Sequence, residues 1–204
     1  REGDATSGTD LHFKINYFLQ ESALYSPTKV YVTNNTASTI ADMYYYRNVD
    51  PDNNQTLSGD FTTQNTIVSQ PGSGCNLAHV SATQTTPWDS YLGLAAIGPN
   101  WRANYGGFDE RDGSNIWNGV GAIGSTPFVQ TVGSTNFYDE AISIAYRIQN
   151  LAPGATETFK FVVILDNASA TNAINHLLYF HSPGAPGAHP PPCPSVADTV
   201  RTCG

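Results

Sequence analysis

The chain of 204 residues is long enough for one sizeable β-domain with a tail, and its net charge of −8 argues against nucleic acid, which rewards basic surfaces. A charged fraction of only 13 %, with 18 glycines, 13 prolines and many Ser, Thr and Asn residues, predicts short strands and turns rather than helices. No apolar stretch approaches the ~20 residues of a membrane helix, so we expect no membrane insertion.

The first half of the chain predicts a series of β-strands. Residues 1–10 are small and polar and indicate a flexible lead. From Leu11 onward, apolar residues alternate with polar ones, which is the pattern of a half-buried strand. Turn residues separate the predicted strands, which cover residues 11–19, 29–33, 40–49, 60–68, 77–83 and 91–97.

The strand at residues 40–49 leads into an acidic loop that is a candidate calcium site. Asp50, Asp52 and Asn54 alternate along this loop, and Pro51 favours a turn, so their oxygens can converge on one point. Ca²⁺ takes roughly six to eight oxygen ligands at about 2.3–2.6 Å, and such a loop can supply several of them.

Further along the chain, Asp60 and Asn65 lie near enough in sequence to complete this site if the chain folds back as a hairpin. The loop is not an EF-hand, because Gln55 stands where that motif needs Gly and Phe61 where it needs a bidentate Glu. The alternative is a plain, solvated turn in which Asp and Asn side chains cap their own backbone.

Strand periodicity disappears between residues 98 and 128, which predicts one long loop. Loops of this length in compact domains are usually functional or disordered, and aromatic residues argue against disorder. We expect the aromatic side chains of this segment to contact a ligand: Trp101, Tyr105, Phe108 and Trp117.

The same segment contains a second concentration of oxygen donors. Asp109, Asp112 and Asn115 are spaced so that they can share a cation, with Glu110 beside them. The alternative is a surface loop in which Arg111 pairs with its acidic neighbours, an interaction worth at most ~1 kcal/mol.

The second half of the chain predicts two further strands. Residues 141–148 and 156–165 have strand character, and Pro153-Gly154 between them marks a tight turn, so we expect the two strands to pair as a hairpin. Residues 162–165 are apolar on both faces, as in a central strand.

The only helix candidate covers residues 168–178, with Asn167 or Ser169 as its N-cap. Residues 182–204 are rich in proline and indicate an extended linker or tail, because consecutive prolines cannot join a sheet. We therefore expect residues 11–181 to form one all-β domain, an antiparallel β-sandwich with long loops and at most one or two short helices.

Cysteines and sequons point to an extracellular compartment. Cys193 and Cys203 lie close together and can close a short disulfide loop, whereas Cys75 pairs with the tail, pairs with another domain or stays free. The candidate glycosylation sites, if the source is eukaryotic, are Asn34, Asn54 and Asn167. The sequence has neither an initiator methionine nor a signal peptide, and we expect it to be a covalent part of a larger cell-surface protein.

The sequence does not favour an enzyme. It contains no Gly-x-Ser-x-Gly elbow, no His-Glu-x-x-His motif and no Cys–His arrangement. The adjacent acidic pairs Asp109–Glu110 and Asp139–Glu140 do not form glycosidase dyads by themselves, because sequence neighbours on a strand point to opposite faces.

Three stretches carry a resemblance to a known family. They are Thr33-Asn34-Asn35-Thr36 continued by Met43-Tyr44-Tyr45-Tyr46-Arg47-Asn48-Val49-Asp50-Pro51-Asp52, then Thr62-Thr63-Gln64-Asn65-Thr66, then Leu151-Ala152-Pro153-Gly154-Ala155 before Phe159-Lys160-Phe161. Their order resembles a β-sandwich module of very large secreted bacterial adhesins of the RTX type, over roughly residues 30–165.

The resemblance implies a calcium-dependent binding module, since some members of that family hold the C-terminal carboxylate of a peptide ligand on bound Ca²⁺. The family's calcium ligands carry over to Asp50 and Asp52. We therefore expect an extracellular adhesion module that grips a peptide carboxylate or a glycan on another cell or protein. The alternative is a structural unit of an extracellular fibre or cell-wall glycoprotein, whose loops bind Ca²⁺ only for rigidity or not at all.

Overall fold

The structure, a computed structural model, describes residues 2–7, 10–72, 76–108, 110, 112–121 and 127–179. Within these ranges the chain forms eleven β-strands, three short α-helices and one 3₁₀ turn at Asn167–Ser169. The strands are β1 Glu2–Ser7, β2 Leu11–Tyr17, β3 Tyr25–Asn34, β4 Ile40–Val49, β5 Thr63–Ser69, β6 Leu77–Gln84, β7 Ser90–Ile97, β8 Trp101–Gly106, β9 Thr135–Tyr138, β10 Ala141–Leu151 and β11 Thr156–Ile164. The helices are α1 Gln55–Ser58, α2 Gly113–Asn118 and α3 Ala170–Tyr179.

The strands form two antiparallel sheets. The larger sheet has the order β1-β2-β3-β11-β7-β6-β5-β9, and the smaller has the order β4-β10-β8. Buried side chains from both sheets form one shared core. The prediction of an all-β antiparallel sandwich is therefore confirmed, with three short α-helices in the described residues where at most two were expected.

The side chains that point inward at alternate positions along the strands form the core between the sheets. On β10, the side chains of Ile142, Ile144 and Tyr146 point inward, and Phe159 and Phe161 of β11 face them. The rings of Tyr146 and Phe159 stack with 4.3 Å between their centroids. Burying one side chain of this size contributes ~1.5–3 kcal/mol, so this aromatic layer helps to hold the two sheets together.

The helix α3 covers the outer face of the larger sheet. Ala173, Ile174 and Leu177 of α3 pack against Val162 and Ile164 of β11. The strand β11 is therefore buried on both faces, between β3 and β7, and its prediction as a central strand is confirmed.

The helix α2 covers the smaller sheet. Ile116 of α2 packs with Phe128 and with Ala145 of β10. A Cβ atom on Gly113 would lie 2.8 Å from the Cβ atom of Tyr44, so α2 approaches β4 this closely because its first residue has no side chain.

The predicted hairpin of the last two strands is wrong. The strand β10 belongs to the smaller sheet and β11 to the larger one, so the turn at Pro153-Gly154 carries the chain from one sheet to the other. The apolar faces of β10 and β11 meet across the core instead of lying side by side.

The interpretation of residues 98–128 as one loop is also wrong. This segment contains the strand β8 and the helix α2. In β8, Trp101, Ala103 and Tyr105 point into the core at every second position, between the polar residues Arg102 and Asn104.

Both ends of the domain differ from the prediction. The lead expected at residues 1–10 contains β1, which pairs with β2. The predicted helix is found as α3, but the preceding 3₁₀ turn is capped by Asp166, which accepts a hydrogen bond of 3.0 Å from the Ser169 main-chain nitrogen. Residues 182–204, with Cys193 and Cys203, and Cys75 lie outside the described residues. In the described part of the chain, no helix is long and apolar enough to cross a membrane.

Candidate metal centre

Three carboxylates converge where β4 ends and β10 begins. Asp50 follows β4 directly, Asp52 lies two positions further on, and Asp139 lies in the turn between β9 and β10. One oxygen from each of these side chains lies within 4.8 Å of the other two. The pairing of Val49 with Ile142 in the antiparallel sheet brings the two segments together.

Asp139 was not predicted as a site residue. The sequence marks it only as part of the acidic pair before residues 141–148, and nothing in that pattern says which strand lies beside it. Pairing of β4 with β10 supplies the missing information, because the segment that follows the end of β4 then lies beside the segment that precedes the start of β10.

The surroundings of this group raise the pKa of Asp50 and of Asp139. Partial burial raises the pKa of Asp50 to about 6, and the charge of Asp52, a hydrogen bond with Asp52 and the charge of Asp139 add to the effect. Partial burial and the charge of Asp52 also raise the pKa of Asp139. All of these contributions raise the pKa, and none comes from a basic side chain, so among the described residues no cationic partner stabilises the ionised forms of Asp50 and Asp139.

One carboxylate oxygen at this site is buried without a partner. The Oδ1 atom of Asp52 has no hydrogen-bond partner among the described residues, and the same holds for Nδ2 of Asn48, the residue two positions before Asp50. Burying a carboxylate oxygen without a hydrogen-bond donor destabilises the folded state. The destabilisation is at least the ~1–3 kcal/mol that an unpaired buried polar group costs. A bound cation would satisfy the Asp52 oxygen.

Asn54, predicted as a ligand, has a different role. Its side chain is 5 % exposed, and its Nδ2 atom donates hydrogen bonds to the main-chain carbonyls of Gln84, Thr86 and Trp88. These bonds hold the turn between β6 and β7 against the acidic loop. Its amide nitrogen therefore fixes the backbone, and the role of its side-chain oxygen as a metal ligand stays a prediction.

Asp60 and Asn65 also lie outside the group of three carboxylates. The Oδ1 atom of Asp60 accepts a hydrogen bond of 2.8 Å from the Thr62 main-chain nitrogen, and this bond lowers the pKa of Asp60. Asn65 is fully buried and bridges β5 to β9 through its side-chain amide, which donates to the Tyr138 carbonyl at 3.1 Å. The prediction of both residues as metal ligands stays a prediction beside these local roles.

The second predicted cation site serves the helix α2. The Oδ1 atom of Asp112 accepts a hydrogen bond of 2.8 Å from the Ser114 main-chain nitrogen and caps the helix. The Nδ2 atom of Asn115 donates to Glu110, which also accepts from the Asp112 main-chain nitrogen at 2.6 Å. Asp109 lies outside the described residues. Asp112 therefore caps α2 and Glu110 binds Asn115, while a cation shared by these residues stays a prediction.

The four aromatic residues predicted to contact a ligand lie in different environments. Trp101 and Tyr105 are buried in the core, so the prediction is wrong for both. Phe108 is 40 % exposed. Trp117 is half-buried, with the guanidinium group of Arg102 at 4.5 Å from its ring centroid and that of Arg147 at 5.3 Å.

The three sequons differ in accessibility. Asn34 is fully buried, and its Nδ2 atom donates hydrogen bonds of 2.8 Å to the carbonyls of Ser38 and Leu151. The Nδ2 atom of Asn54 is similarly engaged. A glycan on either nitrogen would break these bonds, whereas Asn167 is exposed at the start of the 3₁₀ turn.

Comparison with known proteins gives no family for the chain. No protein-family model matches it, and no curated protein is significantly similar to it. Functional assignment therefore depends on the geometry of the carboxylate site and of the surrounding surface.

Proposed function

We propose that the protein is an extracellular, calcium-dependent ligand-binding module of a larger cell-surface protein. Asp50, Asp52 and Asp139 would hold the Ca²⁺. The observation that carries this proposal is the convergence of three carboxylates from two distant segments, with an Asp52 oxygen that has no hydrogen-bond partner in the part of the chain that the structure describes.

The chemistry of these donors fits calcium better than other common metals. All three groups are carboxylates, and hard oxygen ligands suit Ca²⁺ or Mg²⁺, whereas Zn²⁺ usually takes His or Cys. Mg²⁺ demands near-ideal octahedral geometry, while Ca²⁺ tolerates irregular shells with roughly six to eight oxygens. Three carboxylates supply three to six oxygens, so water, backbone carbonyls or a ligand would complete the shell.

Bound Ca²⁺ would tie the loop after β4 to the turn before β10 and cancel most of the repulsion between the carboxylates. Three ionised carboxylates and one Ca²⁺ leave a net charge of about −1 at the site. This remaining charge favours neutral oxygen donors, such as the hydroxyls of a glycan, over a peptide carboxylate. The resemblance to RTX adhesins implies a peptide carboxylate, whose binding should depend on salt, whereas binding of a neutral glycan should depend little on it.

Thermal melting with Ca²⁺ and with chelator tests the metal site. Ca²⁺ that binds only the folded state stabilises it by about 2.7 kcal/mol at a hundredfold excess over its dissociation constant, so the melting temperature should rise. Asp139→Asn should lose most of this increase. Asp89→Asn, which neutralises an exposed carboxylate in the turn between β6 and β7, should keep it.

Identical melting curves of the unmodified protein in both buffers would overturn the metal assignment. A calcium-dependent rise in every variant, including Asp139→Asn, would place the ion elsewhere. A rise that depends on Asp139, without capture of any peptide or glycan, would favour the alternative function of a rigid structural unit in an extracellular fibre.

A further inference from the structure

A separate cleft lies on the outer face of the larger sheet, where β9, β5 and β6 run side by side. Gln64 of β5 pairs with Phe137 of β9 on one side and with Thr83 of β6 on the other. These three side chains therefore form one row across the sheet. With Asp60 and Thr86 at its rim, the row lines an open cavity of about 140 Å³.

Hydrogen bonds within the protein hold the walls of this cleft. Gln84 is buried, and its Nε2 atom donates to the Asp60 carbonyl at 3.1 Å, while its Oε1 atom accepts from the Asn54 main-chain nitrogen at 2.7 Å. The Asn54 side chain in turn donates to the Thr86 carbonyl at 3.3 Å. These bonds hold the walls of the cleft in place, and none of the three carboxylates of the metal site lines it.

The lining groups are suited to a neutral ligand with many hydroxyls. Gln64 and Thr83 make no side-chain hydrogen bond within the described residues, so their amide and hydroxyl groups are available to a ligand. The pKa of Asp60 is lowered, so its carboxylate stays ionised and accepts hydrogen bonds from hydroxyl groups. Phe137 is 69 % exposed and offers a flat apolar face.

The charges and the size of the cleft exclude other ligand classes. Among the described residues no basic side chain lines it, while the acidic residue Asp60 does, so phosphate and acidic sugars are disfavoured. Its volume is below the ~300–1,000 Å³ of sites for drug-sized ligands and equals the share of about four or five water molecules. One sugar ring of a longer chain suits such a space, because the lining combines polar Gln and Thr side chains with the apolar face of Phe137.

We propose that this cleft binds one ring of a neutral glycan. Phe137 would stack on the ring face, and Gln64, Thr83 and Asp60 would hydrogen-bond its hydroxyls. Binding at this cleft does not rest on the proposed metal site.

Affinity electrophoresis in chelator tests the proposal. The protein is run through native gels that contain dextran, mannan, galactomannan or xyloglucan as neutral polysaccharides, and polygalacturonate as an acidic one. At least one neutral polysaccharide should retard the unmodified protein. Phe137→Ala and Gln64→Ala should each weaken this binding roughly tenfold. Tyr138→Ala removes a similarly exposed aromatic from the opposite face of the same strand and should bind normally.

Three results would overturn the proposal. They are no retardation by any neutral polysaccharide, retardation by polygalacturonate alone, and an equal loss of binding in Phe137→Ala and Tyr138→Ala. Because the gels contain chelator, a failure here leaves the calcium melts unaffected, and a failure of the calcium melts leaves these gels unaffected.

Discussion

The buried side-chain amide of Asn65 on β5 donates a hydrogen bond of 3.1 Å to the main-chain carbonyl of Tyr138 on β9. The same Nδ2 atom lies 3.3 Å from Oδ1 of Asn136, and the Oδ1 atom of Asn65 accepts from the Thr63 hydroxyl. These bonds fix the strand that ends immediately before Asp139. Asn65 therefore positions a carboxylate of the candidate metal centre.

Replacing Asn65 should lower both the stability and the proposed metal response. Asn65→Ala leaves the Tyr138 carbonyl without its donor, which should cost about 1–3 kcal/mol in the free energy of unfolding measured with urea. The calcium-induced rise in stability should also shrink, because Asp139 is held less firmly. Gln64→Ala, on the outward face of the same strand, should change neither quantity, and a full calcium response in Asn65→Ala would contradict this role.

Acidification should stabilise the metal-free protein through Asp50. Its pKa is raised from 3.8 to about 6, so the folded state holds this proton more tightly than the unfolded chain does. Ionised Asp50 therefore destabilises the folded state above about pH 6. Its protonation removes this destabilisation as the pH falls toward 4. Calcium competes with the proton, so its affinity should weaken over the same range.

The variant Asp50→Asn isolates this effect from other titrating groups. In chelator at about pH 7 it should be more stable than the unmodified protein, because it lacks the charge repulsion with Asp52. That advantage should shrink at about pH 5, where Asp50 itself is protonated. Urea unfolding at both pH values measures the difference, and an advantage that does not change with pH would contradict the raised pKa.

Acidification should destabilise the protein through His79, in contrast to its effect through Asp50. It is buried, and burial lowers its pKa from 6.5 to about 4, while its Nε2 atom lies 3.0 Å from the Tyr91 hydroxyl. The unfolded chain takes up this proton first, so the stability that His79 contributes is lost as the pH falls from 6.5 toward 4. The loss is on the order of 3 kcal/mol. His79→Leu should remove this slope from unfolding curves measured across that range, and an unchanged slope would show that other groups cause it.

The two tryptophans of the segment 98–128 should respond differently to truncation. Trp101 is fully buried with the Tyr146 ring at 4.9 Å between centroids, so Trp101→Ala should cost about 3–5 kcal/mol of unfolding free energy. Trp117→Ala removes a half-buried ring and its contacts with Arg102 and Arg147, and should cost only about 1–2 kcal/mol. Chemical denaturation measures both, and equal costs would contradict the burial of Trp101.

Much of the strand pattern could be predicted from the sequence, because alternation reports which residues face the core. Residues 40–49 were predicted as a strand and form β4 with the same bounds. Alternation does not report which sheet a strand joins, so β10 and β11 were wrongly paired. The strand β9 has four mostly exposed residues at the sheet edge, and so it gave no periodic signal.

Only part of the candidate metal site could be predicted from the sequence, because the rest depends on long-range strand pairing. Asp50 and Asp52 are close in sequence, so their spacing alone indicated a common role. Asp139 reaches them only through the pairing of β4 with β10, which is a long-range contact. Asn54 and Asn65 have the oxygens that a ligand needs, but their amide nitrogens donate to the backbone, and that role depends on neighbours distant in sequence.

The pairing of β3 with β11 determines when this domain can fold during synthesis. The hydroxyls of Thr33 and Thr156 meet at 2.8 Å across these strands, although 123 positions separate them. A ribosome adding about 5–20 residues per second needs roughly 6–25 s to make that intervening chain. Throughout that interval, one edge of β3 stays unpaired in the centre of the future sheet. The nascent domain is therefore a slow folder with an exposed strand edge, which other chains can join before its own C-terminal strand arrives.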